Sequence, residues 1–261
     1  MRVGSIALRT SLAIQRSFGI VEDRGDYLVL RTPSVPDYWY GNCLAMPGPP
    51  GPGDYAAWTA LFEAELPGRA HRVFLVDGVD GNLGAAGPFL ERGFEASIHD
   101  VLATESPRRP ERRLEGLEYR PFSSDGDWEA GVETSLAVNS GSPGYSRGYV
   151  ERSFAATRGA VERGAGSWWG AWDGKRCAAQ MGVFRDGGLA RFRDVETHPE
   201  YRRRGACRTL LYRLCEAETA ARGPSTFVIS PEDDAVRRIY EAVGFSFRER
   251  VVDFCLKPPD A

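Results

Sequence analysis

The spacing of apolar positions switches between periods of two and of about 3.6 residues along the chain, and the switches outline its elements. In the first hundred residues, 27–32 and 38–46 read as strands, and the proline- and glycine-rich stretch 46–53 can only be loop. Asp54 is placed to cap a helix over 55–66, followed by a strand at 71–76, a short helix around 85–92 and a closing strand at 95–104. Later, 117–121 reads as a strand and 128–138 as a helix. Strands at 167–172 and 177–184 are joined by the hairpin pair Asp173-Gly174, and a further strand spans 189–197. Ala206, Leu210, Leu214, Ala217 and Ala221 form one stripe of a helix over 203–221, and 225–230 is a short strand. Val236, Ile239, Tyr240 and Val243 fall at i, i+3, i+4 and i+7 of a helix over 234–243, and 251–256 ends the sheet.

The segment Ser106-Pro-Arg-Arg-Pro-Glu-Arg-Arg113 separates two strand-like runs with two prolines and a block of charge, the composition of an inter-domain linker. This divides the chain into a first domain at 1–105, a linker at 106–115 and a second domain at 116–261. The two parts resemble each other. Shifted by 153 positions, Leu61, Glu63, Ala64, Glu65, Arg69 and Phe74 coincide without a gap with Leu214, Glu216, Ala217, Glu218, Arg222 and Phe227. Each part then reaches a Gly-Phe pair, Gly93-Phe94 and Gly244-Phe245, with Phe89 and Tyr240 four places ahead of the glycine. The register predicts an internal duplication.

Composition narrows the function classes. The chain has 261 residues, 42% hydrophobic and 26% charged, the mix of a globular protein. A net charge of −3 gives no global attraction to nucleic acid or to an anionic membrane. No uncharged apolar run approaches the ~18 residues of a membrane helix, and Arg9 and Arg16 interrupt the leader-like start. Five widely spaced cysteines without a Cys-x-x-Cys pair fit reduced thiols and a cytoplasmic location. Three scattered histidines predict no metal site, and Walker, dinucleotide-binding and nucleophile-elbow motifs are all missing.

The most informative stretch runs from Asp194 to Leu211, where a strand ends, a basic loop follows, and Gly205 stands where a helix begins. A helix N-terminus offers free N–H groups and partial positive charge, glycine permits close approach to the backbone, and arginines add charge-assisted bonds. That is an anion site.

The segment Arg202-Arg203-Arg204-Gly205-Ala206-Cys207, with Thr197-His198-Pro199 ahead of it, resembles the acyl-CoA signature (Arg/Gln)-x-x-Gly-x-(Gly/Ala) of the GNAT superfamily of N-acyltransferases. Downstream, Asp233-Asp-Ala-Val-Arg-Arg-Ile-Tyr-Glu-Ala-Val-Gly-Phe245 is similar to the family's Asn-x-x-Ala-x-x-x-Tyr-x-x-x-Gly-Phe block. The resemblance covers roughly residues 116–257 and implies an α/β fold of two GNAT-like mixed sheets flanked by helices, arranged as a tandem duplication. It further implies transfer of an acetyl group from acetyl-CoA, without a metal, to a primary amine of a small molecule or peptide. In that scheme Arg202, Arg203, Arg204, Gly205, Ala206, Cys207, Arg208 and Asp233 hold CoA, and the backbone of Val195–Thr197 pairs with its pantetheine arm. Tyr240 takes the place of the residue that protonates the leaving thiolate.

Several residues depart from the pattern. Cys207, Asp233 and Val236 replace smaller or neutral residues, and Arg191 stands where several members place a Glu or His base. Asp194 and Glu196 are the nearby carboxylates left to take the amine proton, the alternative being that both pair with surrounding arginines. Arg191 and Arg193, two apart on one strand face, suit an anionic acceptor or ordinary ion pairs. Trp168, Trp169 and Trp172 suit an acceptor pocket or a core, and Cys207 an activated or a packed thiol. In the first half, the stretch matching the CoA loop is Pro49-Pro-Gly-Pro-Gly-Asp54, where proline lacks an N–H and Asp54 repels phosphate. This marks residues 1–105 as a degenerate copy. Two other readings stay open: a non-catalytic acyl-CoA-binding module, and an aminoacyl transferase on the same tandem fold. Monomer and homodimer are equally compatible with the sequence.

Overall fold

The computed structural model describes residues 1–111, 114, 116–142 and 144–258. Its elements run α1 (Ile6–Phe18), β1 (Ile20–Asp23), β2 (Leu28–Arg31), β3 (Cys43–Met46), α2 (Asp54–Glu65), β4 (Arg72–Val76), α3 (Gly87–Leu90) and β5 (Glu95–Thr104). They continue with β6 (Glu118–Pro121), α4 (Asp125–Val138), α5 (Arg147–Glu162), β7 (Gly166–Asp173), β8 (Arg176–Asp186) and β9 (Leu189–Thr197). The last are α6 (Ala206–Arg222), β10 (Thr226–Ile229), α7 (Asp234–Glu241) and β11 (Ser246–Leu256). Two compact units result: Met1–Val101 together with the residues from Arg248 onward, and Leu102–Phe247.

In the first unit β1, β2 and β3 pair antiparallel, β3 runs parallel to β4, and β4 pairs antiparallel with β11. Strand alternation sorts the side chains onto two faces. On one, Phe74 and Phe254 meet Trp58 and Phe62 of α2 and Phe89 of α3; on the other, Val73 and Cys255 join Leu28, Leu30, Cys43 and Ala45 beneath Leu8 and Leu12 of α1. Sequence reading missed α1, because Arg9 and Arg16 break its apolar run while the buried side, from Ala7 to Gln15, includes the polar Thr10 and Gln15. The helix begins on a dense set of hydrogen bonds. Ser5 caps it through Leu8 N (3.1 Å), and Asp77 accepts from the amides of Gly4 and Ser5 (2.8 and 2.9 Å). Glu249, buried on β11, accepts from Ser5 Oγ (2.6 Å), Ile6 N (3.2 Å) and Ala7 N (2.8 Å). Two carboxylates thus satisfy donors that a helix start leaves without partners and complement its dipole.

In the second unit β6 to β9 form an antiparallel meander, and β9 runs parallel to β10. One face carries α6 and α7 over Ala171, Ala179, Met181, Val183, Ala190 and Phe192. Facing α4 and α5 is an aromatic cluster of Phe122, Trp128, Phe154, Trp168 and Trp172. Trp168 and Trp172 are 1% and 2% exposed, and Trp169 packs against the other core, so the tryptophans are packing residues rather than a pocket lining. Helix α5 also escaped the sequence reading: its buried stripe is only Val150, Phe154, Thr157 and Ala160, too thin an apolar signal to register.

The observed units differ from the expected division at 105 and 116 in their closing strands. β11, expected to end the second sheet, pairs instead with β4 of the first unit (Phe254 opposite Phe74). The last residues of β5, Leu102–Thr104, pair with Ile229–Phe227 of β10 within the second unit. Hydrophobic pattern says that a strand is buried; it does not say which strand lies beside it. Of the expected linker, 112, 113 and 115 lie outside the described residues, and the described remainder belongs to the second unit.

The two units share backbone detail. A left-handed glycine precedes α2 (Gly53, φ 88°) and α6 (Gly205, φ 92°), and each helix leads to a strand parallel to its predecessor. Gly53 rather than Asp54 therefore caps α2, and Asp54 is its first residue. Past the next short helix, Phe94 N donates to Phe89 O (3.1 Å) around Gly93, and Phe245 N donates to Tyr240 O (3.2 Å) around Gly244. Both glycines are left-handed, at φ 84° and 97°.

Replacing Glu249 with alanine strands the Ser5 hydroxyl and the amides of Ile6 and Ala7, and is expected to lower stability by about 1–3 kcal/mol in denaturant unfolding. An unchanged midpoint would show that α1 does not depend on this carboxylate.

Candidate functional site

The site begins with an extra residue in β9. Gly182 of β8 faces Arg193 and Gln180 faces Glu196, so β9 spends three residues where β8 spends two. The surplus is Asp194, held at φ 48°. A one-residue bulge turns every later side chain to the other face. Ala190 and Phe192 therefore point to the α6 core, and beyond the bulge so does Val195. Thr197 reaches the Cys207 thiol on the same side, whereas Glu196 is held from α4. Pairing between β9 and β10 covers only Leu189–Arg191 against Thr226–Val228, although β9 runs on to Thr197. Past Arg191 the two parallel strands share no further ladder.

Where β9 ends, a short turn at Pro199–Tyr201 leads into Arg202, then Arg203 at φ 62° and Gly205 at φ 92°. Ala206, 2% exposed, seats the helix start in the core. No side chain caps α6 and no acidic residue lies in its first turn. This contrasts with α1, α4, α5 and α7, which Ser5, Ser124, Ser146 and Asp233 cap. The first-turn amides thus lack intrahelical acceptors, in a stretch that carries four arginines. Arg202 donates from Nε to Thr197 O (3.2 Å) and Arg204 lies over the Tyr201 ring. Arg202, Arg203, Arg204 and Arg208 form no ion pair with another described residue. The cradle suits a diphosphate.

At the matching place in the first unit the loop bonds within its own unit. Asp54 Oδ2 accepts from Gly51 N (2.7 Å), and Pro50 O from Ala85 N (2.7 Å).

Tyr240, on α7, is 3% exposed, and its hydroxyl hydrogen-bonds to no other described residue. Burial lifts its pKa well above the usual phenol range, with the neighbouring Cys207 adding to the rise and Arg191 opposing it. The phenol keeps its proton at neutral pH. Cys207 is a packed thiol rather than an activated one, pushed up to about 11 by burial against the opposing effects of Thr197 and Arg208. Asp233, expected to touch CoA, spends one carboxylate oxygen on Val236 N (2.8 Å) as the cap of α7.

The two candidate carboxylates part ways. Asp194 is exposed and pairs with Arg193 Nε at 2.7 Å, the ordinary ion-pair outcome. Glu196 pairs with no arginine among the described residues. It is held by three neutral donors, Gln180 Nε2 (2.6 Å), Ser135 Oγ (2.9 Å) and Asn139 Nδ2 (3.1 Å). Burial first, and then the charge of Asp194, push its pKa up to about 7, while the three hydrogen bonds pull the other way. A carboxyl at that value exchanges a proton near neutrality. Sequence reading found Glu196 but none of its three donors, which are ordinary polar residues on α4 and β8. Arg191 donates from Nη2 to Ser230 Oγ (3.0 Å), at the end of the β9–β10 ladder. Among the described residues no group of three or more His, Cys, Asp or Glu is placed to hold a metal, and no helix is long and apolar enough to cross a membrane.

Residues 135–245 match the model of the acetyltransferase (GNAT) family. No curated protein matches the chain. Among solved structures, a functionally unknown conserved protein from Staphylococcus epidermidis aligns with a TM-score of 0.67 at 10% identity, over 92% of this chain and 94% of its own. A GCN5-related N-acetyltransferase from Kribbella flavida aligns at 0.65 and 16% identity, over 98% and 97%. A tandem GNAT protein from the clavulanic acid biosynthesis pathway aligns at 0.52 and 14% identity, over 79% and 69%. At these identities the structural likeness concerns the fold.

The raised pKa of Glu196 has a signed consequence. The folded protein binds this proton more tightly than the unfolded chain, so its contribution to stability declines as pH rises from about 4.5 to about 7 and is then constant. The gap in thermal midpoint between wild type and Glu196→Gln is expected to shift against wild type across that window. A gap independent of pH would show that Glu196 titrates normally.

Proposed function

Residues 135–245 being an acetyltransferase domain of the GNAT family, we propose that this chain is an N-acyltransferase that moves an acetyl group from acetyl-CoA directly to a primary amine. The observation that carries this reading is the start of α6: uncapped, free of carboxylates, and flanked by Arg202, Arg203, Arg204 and Arg208 at the end of β9. Its amides receive the pyrophosphate, as do those behind Gly205, and the unladdered edge of β9 from Val195 to Thr197 receives the pantetheine arm. The acyl carbonyl is polarised by a backbone N–H of that edge.

The amine nitrogen attacks the thioester carbon, the C–N bond forms, and the C–S bond breaks. Glu196, through water, takes the amine proton, and Tyr240 gives one to the departing thiolate. Burial serves both roles, lifting the carboxyl into the range of a working base and keeping the phenol protonated. Glu196 thereby takes the role for which the usual position offers only Arg191. Asp194, committed to Arg193, is not needed as base. Arg191, beside Ser230 where β9 and β10 part, recognises an anionic group on the acceptor, with Arg193 on the same strand face. The first unit, Met1–Val101 with the residues from Arg248 onward, is a copy whose donor site is closed by its own Asp54, and the working half is Leu102–Phe247.

Calorimetry is expected to give one acetyl-CoA per chain for wild type and none for Gly205→Asp, which places a carboxylate at the mouth of the cradle. Two sites per chain would refute the closed first half, and no binding by wild type would end the acyl-transfer reading. In amine-acceptor assays, Tyr240→Phe is expected to lower kcat by about 10²-fold, within the range for acid–base groups. Glu196→Gln is expected to remove the rise in kcat/KM centred near pH 7. Tight acetyl-CoA binding without turnover by wild type would favour the non-catalytic binding module, and turnover indifferent to both substitutions would remove Tyr240 and Glu196 from the mechanism.

A further inference from the structure

Behind Glu196 a second layer of contacts holds one of its donors in place. Gln180, 0% exposed, stands directly opposite Glu196 across the β8–β9 ladder. Its Nε2 donates to Gly131 O of α4 (2.9 Å) and to Glu196 Oε2 (2.6 Å), and its Oε1 accepts from the indole Nε1 of Trp168 on β7 (3.3 Å). An indole nitrogen only donates and a peptide carbonyl only accepts, so the amide has one satisfied orientation and its NH2 faces Glu196. Flipped, its oxygen would stand against Gly131 O and the carboxylate.

Two glycines make room for this arrangement. A Cβ on Gly131 would lie 2.7 Å from Gln180 Oε1 and 2.7 Å from the Phe122 ring, and one on Gly182 would lie 2.5 Å from the Trp168 ring. Neither glycine has a positive φ, so close approach, and not backbone conformation, calls for glycine at both. They sit inside α4 and β8, elements that glycine otherwise weakens. Trp168, 1% exposed, is wedged among Phe122, Trp128 and Phe154, which hold its N–H on the amide.

The carboxyl is thereby oriented atom by atom. Oε1 accepts from Ser135 Oγ and Asn139 Nδ2, which fills both of its lone pairs, whereas Oε2 accepts from Gln180 alone among the described residues. One lone pair of Oε2 stays open. The titratable groups that bear on Glu196 are Asp194 of its own strand and the Cys177 thiol of β8, while α4 meets it with the neutral Ser135 and Asn139.

We propose that Trp168 and Gln180 are positioning residues for acyl transfer: the indole fixes the amide, the amide fixes the carboxyl, and the open lone pair of Glu196 Oε2 receives the proton of the acceptor amine. The inference rests on the N-acyltransferase reading with Glu196 as base. A bridging water gives its proton to Oε2 and takes that of the amine, so one N–H bond breaks as one O–H bond forms, and the nitrogen keeps the electron pair. Trp168 and Gln180 are both buried and act only through Glu196.

The test compares wild type, Gln180→Leu and Trp168→Phe, with thermal unfolding as the check on folding. Carboxyl 13C NMR follows the titration of Glu196, assigned with Glu196→Gln, and the pH profile of kcat/KM is taken with acetyl-CoA and a mixture of the common amino acids. Losing the amide donor favours the neutral carboxyl, so Gln180→Leu is expected to raise both the titration midpoint and the kcat/KM inflection by about one pH unit. Its kcat is expected to fall at least tenfold, with KM for acetyl-CoA within twofold of wild type. Trp168→Phe keeps Gln180 but frees its amide, and is expected to move both midpoints the same way by a smaller amount. Folded variants with the wild-type midpoint and kcat would overturn the positioning role and leave Glu196 as base. A shifted NMR midpoint with an unshifted kcat/KM profile would overturn Glu196 as base and this inference with it, the acyl-transfer reading surviving. Wild type that leaves the amino acids untouched would instead bring down the transfer to an anionic amine, whatever the NMR shows, and this inference with it. If Gln180→Leu does not fold, Trp168→Phe decides, with an upward shift of both midpoints supporting the proposal and unmoved midpoints overturning it.

Discussion

The extra residue at Asp194 is the constraint on which the site depends. Without it, β9 would keep its alternation, and Val195 and Thr197 would face α4 while Glu196 faced the apolar core under α6. With it, one short strand presents a titratable carboxyl to one side and a smooth edge with small side chains to the other. The cost is a non-glycine residue in the left-handed region, of order 1–2 kcal/mol, which the surrounding ladders of β8 and β9 must offset. Arg203 is a second such residue, three positions before the first residue of α6. Backbone strain is therefore concentrated within ten positions, on either side of the proposed reacting centre.

Burial acts on the chemistry with a single sign and two results. Both Glu196 and Tyr240 are acids in their neutral form, and removing them from water favours that form in each. For a carboxyl this brings the titration close to neutrality; for a phenol it moves it further away. The same physical term yields a group that can accept a proton and one that holds a proton to give. The neutral donors Gln180, Ser135 and Asn139 keep Glu196 from being stranded and do not drive it back to an ordinary carboxylate.

What could be read in the sequence follows from how local each signal is. The proposed anion cradle is legible because its parts lie within one loop: a run of arginines, Gly205, and a helix starting at once. The likeness of the two halves was legible because helix and strand kept an ungapped register, and the bonds Phe94–Phe89 and Phe245–Tyr240 have the same form. The strands from β7 to β10 were placed closely, since their apolar residues alternate cleanly. Helices α1 and α5 were not, because polar residues sit in their buried stripes and the caps Ser5 and Ser146 stand before weak periodic runs. The partners of Glu196 were out of reach, since they are contacts between segments far apart in the chain.

The closing strands bear on how the protein is made. β11 is made long after β1 to β4, yet it completes the sheet they begin, and its Glu249 completes the hydrogen bonding at the start of α1. The first unit therefore waits, with an unpaired edge on β4 and an unsatisfied helix start, until β11 has been made. Such long-range closure slows folding and leaves strand edges open to wrong partners in the interval. Cutting the chain between the halves would not give two smaller proteins; each fragment would lack the strand that seals its sheet.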